Sequence, residues 1–335
     1  MSPIISRVGT SFGFNKGISS LYSLYSFSSH TFTNATAVGQ NGPSLANCQS
    51  AYSATSWKNN SEYFTTSSGI QIWTVPASGS YTITALGASG GANNGGSYYP
   101  GRPGTGATII GTFILSVNTL LNIVVGQLGV YGANGSGGGG GSFVYTGSIG
   151  GAGLLIAAGG GGGCGHGSST YASGAWGGGG SATTSPVAGI SSPGTAGSKG
   201  TGEGGLGGTY NFGSAGGGAG WLSVGDRGQG TGSYRSFGGT RWVGGSPDGT
   251  GAGGVNTGQG GFGGGAGWGG NNGASGGAGG YSGGGGGNGF NGNSWGAGGG
   301  GGSYNSGTNQ TNIAGTTGAS SNIVHGSVII QYLGY

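Results

Sequence analysis

Charged side chains are nearly absent from this chain: eight Lys and Arg and four Asp and Glu among 335 residues, 4% in all. So little like charge cannot hold a chain expanded by self-repulsion, and a polypeptide this neutral packs or aggregates. The net charge of +4 also falls short of a nucleic-acid footprint, because the basic residues do not cluster. Arg227, Arg235 and Arg241 are the closest group, each in a different Gly/Ser setting, and no Arg-Gly-Gly repeat occurs. Nucleic acid is therefore not expected as a partner. The acids and imidazoles amount to Glu62, Glu203, Asp226, Asp248, His30, His166 and His325. They form no recognisable catalytic constellation, so no enzymatic activity is expected.

Cysteine is as scarce. Cys48 and Cys164 stand far apart in no metal-ligand spacing and read as small buried residues, with a disulfide neither required nor excluded. Cys164-Gly-His166 supplies two ligands where a zinc site wants three or four, so neither metal nor cofactor is expected. No apolar run approaches the roughly 18 residues of a membrane span. The start, Met1-Ser-Pro-Ile-Ile-Ser-Arg-Val-Gly-Thr10, lacks the basic and apolar regions of a secretory signal. A soluble product without standard export is the expectation, and the Asn34-Ala-Thr36 and Asn59-Asn-Ser61 sequons are then incidental.

What the chain has instead is glycine, 99 residues of it, with unbroken runs at Gly137–Gly141, Gly159–Gly163, Gly283–Gly287 and Gly298–Gly302. Ordering 99 glycines costs on the order of 100–200 kcal/mol of backbone entropy, and glycine brings no side chain to bury in return. Disorder is the compositional default for such a chain. Against it stand aromatics at 10% of the residues, spaced through the glycine block from Trp176 to Tyr304, where disordered linkers are poor in them. Helix is ruled out by propensity, at roughly 1 kcal/mol per glycine, and a glycine sheet has no packing face. Collagen fails on its strict third-residue period and on proline, of which there are eight. A threefold, polyproline-II-like backbone remains, its N–H and C=O groups bonding between neighbours. Aromatic, Asn and Ser residues would then mark rims and turns, and Ser181–Pro193 and Thr240–Pro247 would be loops.

Regular structure is legible outside that block. Residues 1–65 read as extended, with one short helix over 44–56: Ser44 caps it and Leu45, Cys48 and Tyr52 share a face. Gly69-Ile-Gln-Ile-Trp-Thr-Val75, a Pro/Gly turn and Ser80-Tyr-Thr-Ile-Thr-Ala-Leu86 read as two strands, with Tyr81, Ile83 and Ala85 on one face. Further strands follow at Thr108–Leu115, Leu120–Val125, Ser142–Tyr145 and Leu154–Ala158. Strand signal then lapses until Ile323–Tyr332. A lone strand is unstable, so this last one must pair with strands before Ala158, drawing the glycine block of about 126–302 back onto one sheet system.

The block Gly69–Gly91, with Leu121-Asn-Ile-Val-Val-Gly-Gln-Leu-Gly129, Gly137–Val144 and Gly153–Gly163 in the same order, resembles the glycine-rich domain family known from the extracellular part of the anaplastic lymphoma kinase and leukocyte tyrosine kinase receptors. The likeness spans about 70–335. It implies an all-β fold, a jelly-roll-like, tumour-necrosis-factor-like β-sandwich interleaved with a bundle of polyglycine-II helices. Receptor signalling is not implied, since neither membrane span nor kinase accompanies the match. Phe32–Pro43, the helical stretch after it and Ile70–Pro76 also resemble glycine-rich proteins of tailed phages and large DNA viruses.

That second likeness implies a non-enzymatic virion structural or host-attachment protein, a tail fibre, adhesin or capsid-surface component assembled in host cytoplasm. The N-terminal segment, Ile4–Phe14 above all, would bind other virion proteins or form a first edge strand, a host-surface receptor would be the outward partner, and a homo-oligomer, a trimer among the options, is expected. The alternative is an extracellular, filament-forming structural protein of a cell. Ice binding is a third reading, weakened by the missing tripeptide repeat. Trp176, Tyr210, Trp221, Tyr234, Trp242, Trp268 and Trp295 are the candidate surface aromatics for such contacts.

Overall fold

Alternation of apolar and polar residues sets the first sheet. In β4 (Gly79–Leu86), Tyr81, Ile83 and Ala85 are buried while Ser80, Thr82 and Thr84 face outward, the period-two pattern of a half-buried strand. The computed structural model describes residues 23–92, 101–131, 135–165, 176–189, 201–209, 214–228, 238–239, 258–269, 274–288 and 296–335. Among them lie eleven strands and one helix. β4 pairs along its length with β5 (Thr108–Leu115) and, on its other edge, with β11 (Ser327–Gly334). The terminal strand thus meets a partner from before Ala158, as its isolation in sequence requires. β1 (Ser29–Phe32) closes one edge against β11, and β10 (Thr308–Ile313) closes the other against β5.

The second antiparallel sheet runs β2 (Phe64–Ser67), β3 (Ile70–Thr74), β6 (Leu120–Val124), β7 (Ser142–Tyr145), β8 (Leu154–Ala158) and β9 (Tyr304–Asn305). The two sheets form a β-sandwich. Phe32, Ile83, Ile109 and Ile330 from the first meet Phe64, Trp73, Leu121, Ile123 and Ile156 from the second in one core. α1 (Leu45–Ala51) starts at a capping box, Ser44 Oγ accepting from Asn47 N–H and Asn47 Oδ1 from Ser44 N–H, both at 3.2 Å. It delivers Cys48 and Tyr52 to the same core. The core therefore draws on residues both before and after residue 65.

β7 and β8 are buried on both faces, which is why Ser-Phe-Val-Tyr and Leu-Leu-Ile-Ala-Ala read as almost continuous apolar runs. Val144 and Ile156 point into the sandwich. Phe143, Tyr145, Leu154 and Ala157 point the other way, into a second cluster completed by Trp221 and Phe262 of the glycine block. The glycine block thus covers the outer face of the second sheet.

Within that block the backbone bonds sideways, with a period of three. Gly138 and Gly141 donate to the carbonyls of Ala266 and Gly263, Gly137 and Gly140 to those of Val130 and Gln127, and Gly160 and Gly163 to those of Gly279 and Gly276. Elsewhere the neighbour runs parallel: Gly276 and Gly279 donate to Ser136 and Gly139, and Gly283 and Gly286 to Glu203 and Leu206. Each segment bonds to several others, a third of its amides facing each way. At many of these glycines the spacing leaves no room for a side chain: a Cβ built on Gly140 would stand 1.6 Å from the Phe262 carbonyl oxygen.

β10 has no apolar alternation to announce it. All six residues of Thr-Asn-Gln-Thr-Asn-Ile are exposed, because the strand is an edge held by backbone pairing and a bulge between Thr308 and Thr311 rather than by burial.

Candidate interaction site

The titratable groups lie apart. His30 sits edge-on to the rings of Phe32, Tyr52 and Trp57, at centroid distances of 4.7, 4.5 and 4.9 Å. Burial among them lowers its pKa to about 4, and its Nε2 is buried with no hydrogen-bond partner. His325 accepts the Leu128 N–H at Nδ1, 3.2 Å away, which leaves the proton on Nε2, and burial lowers its pKa too. The Cys48 thiol is pushed up to about 12 by burial. Cys164 Sγ donates to the Gly91 carbonyl at 3.2 Å; His166 and Asp248 lie outside the described residues. Among the described residues no three His, Cys, Asp or Glu side chains gather as metal ligands would.

The seven candidate surface aromatics divide. Tyr210, Tyr234, Trp242 and Trp295 lie outside the described residues. Trp221 and Trp268 are buried, against the expectation of exposure. The reason is the glycine around them, since a bundle without side chains leaves slots that an indole fills. Trp221 stacks on Phe143, meets Tyr145 edge-on and donates its Nε1 hydrogen to the Gly151 carbonyl at 3.2 Å. Trp268 lies across Gly258, where a Cβ would come within 1.6 Å of the indole. Trp176 is half-buried, with Gly318 against its ring and the Arg102 guanidinium 5.4 Å from the ring centroid. It pins residues around 318 to the segment around 102.

The outer face of the first sheet is an exposed surface made by regular structure. Its register sets Thr31, Ile329, Thr84, Ile110 and Thr311 in one row across five strands and Ser29, Gln331, Thr82, Thr112 and Thr308 in the next. Leu333, Ser80 and Ile114 mark one end, with Ile114 82% exposed. No charged residue stands in these rows.

At the other end, where Leu86 pairs with Thr108, the face runs into a groove of about 380 Å³. Topology makes it. β10 and β11 lie on opposite sides of the β4–β5 pair, so the connection through 314–326 must cross the ends of both strands. The groove is the space it encloses, walled by Leu86, Ser89, Thr105 and Thr108 on one side and by Thr316, Ser320, Asn322 and Val324 on the other. The crossing is pinned at several points. Thr105 N–H donates to the Thr316 carbonyl at 3.0 Å and Thr105 Oγ1 accepts the Thr316 N–H at 2.7 Å. Ala319 N–H donates to Pro103 and Gly318 N–H to Gly177, while Ser89 Oγ accepts the Val324 N–H at 3.1 Å. A second cleft of about 430 Å³ lies beside the start of α1, lined by Asn41, Pro43, Leu45, Thr66 and Phe262 among others. The groove carries no sequence signal beyond a Thr/Ser/Asn-rich stretch after β10, because its walls come from positions some 200 residues apart. No protein-family model matches the chain.

Proposed function

We propose that this chain is a non-enzymatic structural or host-attachment component of a virion surface, a jelly-roll-like sandwich backed by a bundle of polyglycine-II helices that holds its outer surfaces in fixed positions. The observation that carries the reading is the period-three hydrogen bonding of the glycine block. A threefold helix turns once every three residues, so residues i and i+3 face the same neighbour, as Gly138 and Gly141 face Ala266 and Gly263. Such a bundle buries backbone rather than side chains, and its dispersion and hydrogen-bond terms offset the entropy of ordering glycine. The jelly-roll reading is supported by the way the chain changes sheets, β4–β5 in one, β6–β9 in the other, β10–β11 back in the first.

What this architecture suits is presentation. The glycine layer stiffens one side of the sandwich, while the opposite sheet offers an uncharged outer face continuous with a groove. Ile4–Phe14, the expected attachment to other virion proteins, lies outside the described residues. Mass spectrometry and immunogold labelling of purified particles test the reading: stoichiometric copies on the particle surface are expected. Their absence, with the chain recovered instead from cell-derived filaments, would replace it with the filament-forming alternative.

A further inference from the structure

We propose that the groove between the β4–β5 strand ends and the 314–326 crossing binds a neutral saccharide. This names the chemistry that the attachment reading leaves open, and it rests on that reading only for its biological setting.

The groove's volume of about 380 Å³ lies within the roughly 300–1,000 Å³ of small-molecule clefts. None of its lining residues is charged. Without a cation it has nothing to select a phosphate or carboxylate, and without a carboxylate nothing to hold a metal ion. Its polar groups are hydroxyls and amides, which can both donate and accept, as a sugar's hydroxyls do. Ser89 and Thr105 spend theirs on pinning the crossing. The side chains of Thr108, Thr316, Ser320, Ser321 and Asn322 have no hydrogen-bond partner among the described residues and remain available. Leu86 and Val324 add apolar surface of the kind that lies against the C–H face of a pyranose ring.

Two further features favour a saccharide over a peptide. An extended peptide gains its affinity by adding to an open sheet edge, yet both strands at this groove are already paired on both sides, β4 with β5 and β11, β5 with β4 and β10. The walls are also set before any ligand arrives. Gly87 and Gly106 press together so closely that a Cβ on Gly106 would lie 2.0 Å from the Gly87 carbonyl oxygen. A preformed site avoids part of the ordering cost of binding.

The test uses the full chain against an array of neutral hexose and N-acetylhexosamine oligosaccharides, with sialylated and phosphorylated glycans as charged comparators. Amide shift mapping then locates the site. The expected result is binding of one or more neutral glycans with a Kd of roughly 0.1–10 mM and shifts concentrated in residues 86–89, 105–108 and 314–324. Ser320→Trp, at an exposed wall position, and Thr316→Arg should each weaken binding at least tenfold with the melting temperature unchanged, while Leu222→Ser, on the glycine block, should leave it intact. No binding by the folded chain, binding of charged glycans or peptides alone, or binding undiminished in both groove variants would overturn the proposal. Particle proteomics decides the virion reading separately. A chain present in particles that binds no glycan refutes only the groove, and a glycan-binding chain absent from particles refutes only the setting.

Discussion

Replacing Gly300 by alanine adds one methyl group, and the bundle has no place for it. The new Cβ would lie 1.9 Å from the Gly179 carbonyl oxygen and 2.4 Å from its carbon, where Cβ contacts under 3.0 Å are essentially never found. Backbone cannot rotate aside as a side chain does, so the segments must part by at least 1.1 Å (3.0 − 1.9). Those segments are joined by Gly178 N–H to the Gly298 carbonyl at 2.9 Å and Ser181 N–H to the Gly301 carbonyl at 2.8 Å. Parting would stretch both bonds out of range. Two buried bonds lost at about 1–3 kcal/mol each, with some strain relieved elsewhere, sum to about 3–5 kcal/mol. For a chain this long that is a fall of roughly 4–7 °C in melting temperature. Gly267→Ala is the matched control. Its Cβ would meet only the Gly258 carbonyl oxygen, at an ordinary 3.6 Å, so its stability should stay within about 0.5 kcal/mol of the parent or rise slightly. Scanning calorimetry and urea titration on the three proteins measure the difference. If Gly300→Ala melts with Gly267→Ala, the glycine segments are not packed backbone to backbone and the reasoning fails.

Acid should destabilise the fold through His30. Burial holds its folded pKa near 4 against an ordinary 6.5, so the unfolded chain binds the proton first and stability falls as pH drops from about 6.5 to 4. The loss should be about 1–2 kcal/mol after screening at a half-buried ring, and a His30→Phe variant should flatten the urea midpoint across that window; the His325 pKa, also lowered by burial, leaves a residual slope, and an equal slope in both proteins would refute it. Tyr52→Phe removes the hydroxyl that donates to Gln71 Oε1 at 2.6 Å and accepts Thr33 N–H at 3.0 Å. Gln71 is fully buried, so a loss of about 1–3 kcal/mol is expected in chemical denaturation. Both cysteines are buried, so neither should react with a thiol reagent at pH 8 until denaturant is added, and rapid labelling of the native chain would contradict the core placement of Cys48.

Strands with one buried face were legible because burial imprints a period of two on Ser-Tyr-Thr-Ile-Thr-Ala-Leu, and the helix because Ser44, Cys48 and Tyr52 combine a cap with helical spacing. β10 was not, since an exposed polar edge strand bears no such imprint. Nor was the fate of Trp221 and Trp268, because a lone indole between glycines looks the same in sequence whether it lies on a rim or fills a slot beneath one.

Composition by itself determined that little charge was present to steer any partner, that glycine could be ordered only through backbone contacts, and that the terminal apolar run needed a distant strand to pair with. These are local or additive properties, readable one residue at a time. Which segment each glycine amide bonds to, which face of the second sheet the block covers, and that the crossing from β10 to β11 encloses a groove against Leu86 and Thr108 were decided only by tertiary structure. Such contacts join residues far apart in the chain, 235 positions between Ser89 and Val324, and a glycine backbone carries no side chain from which its neighbour could be read.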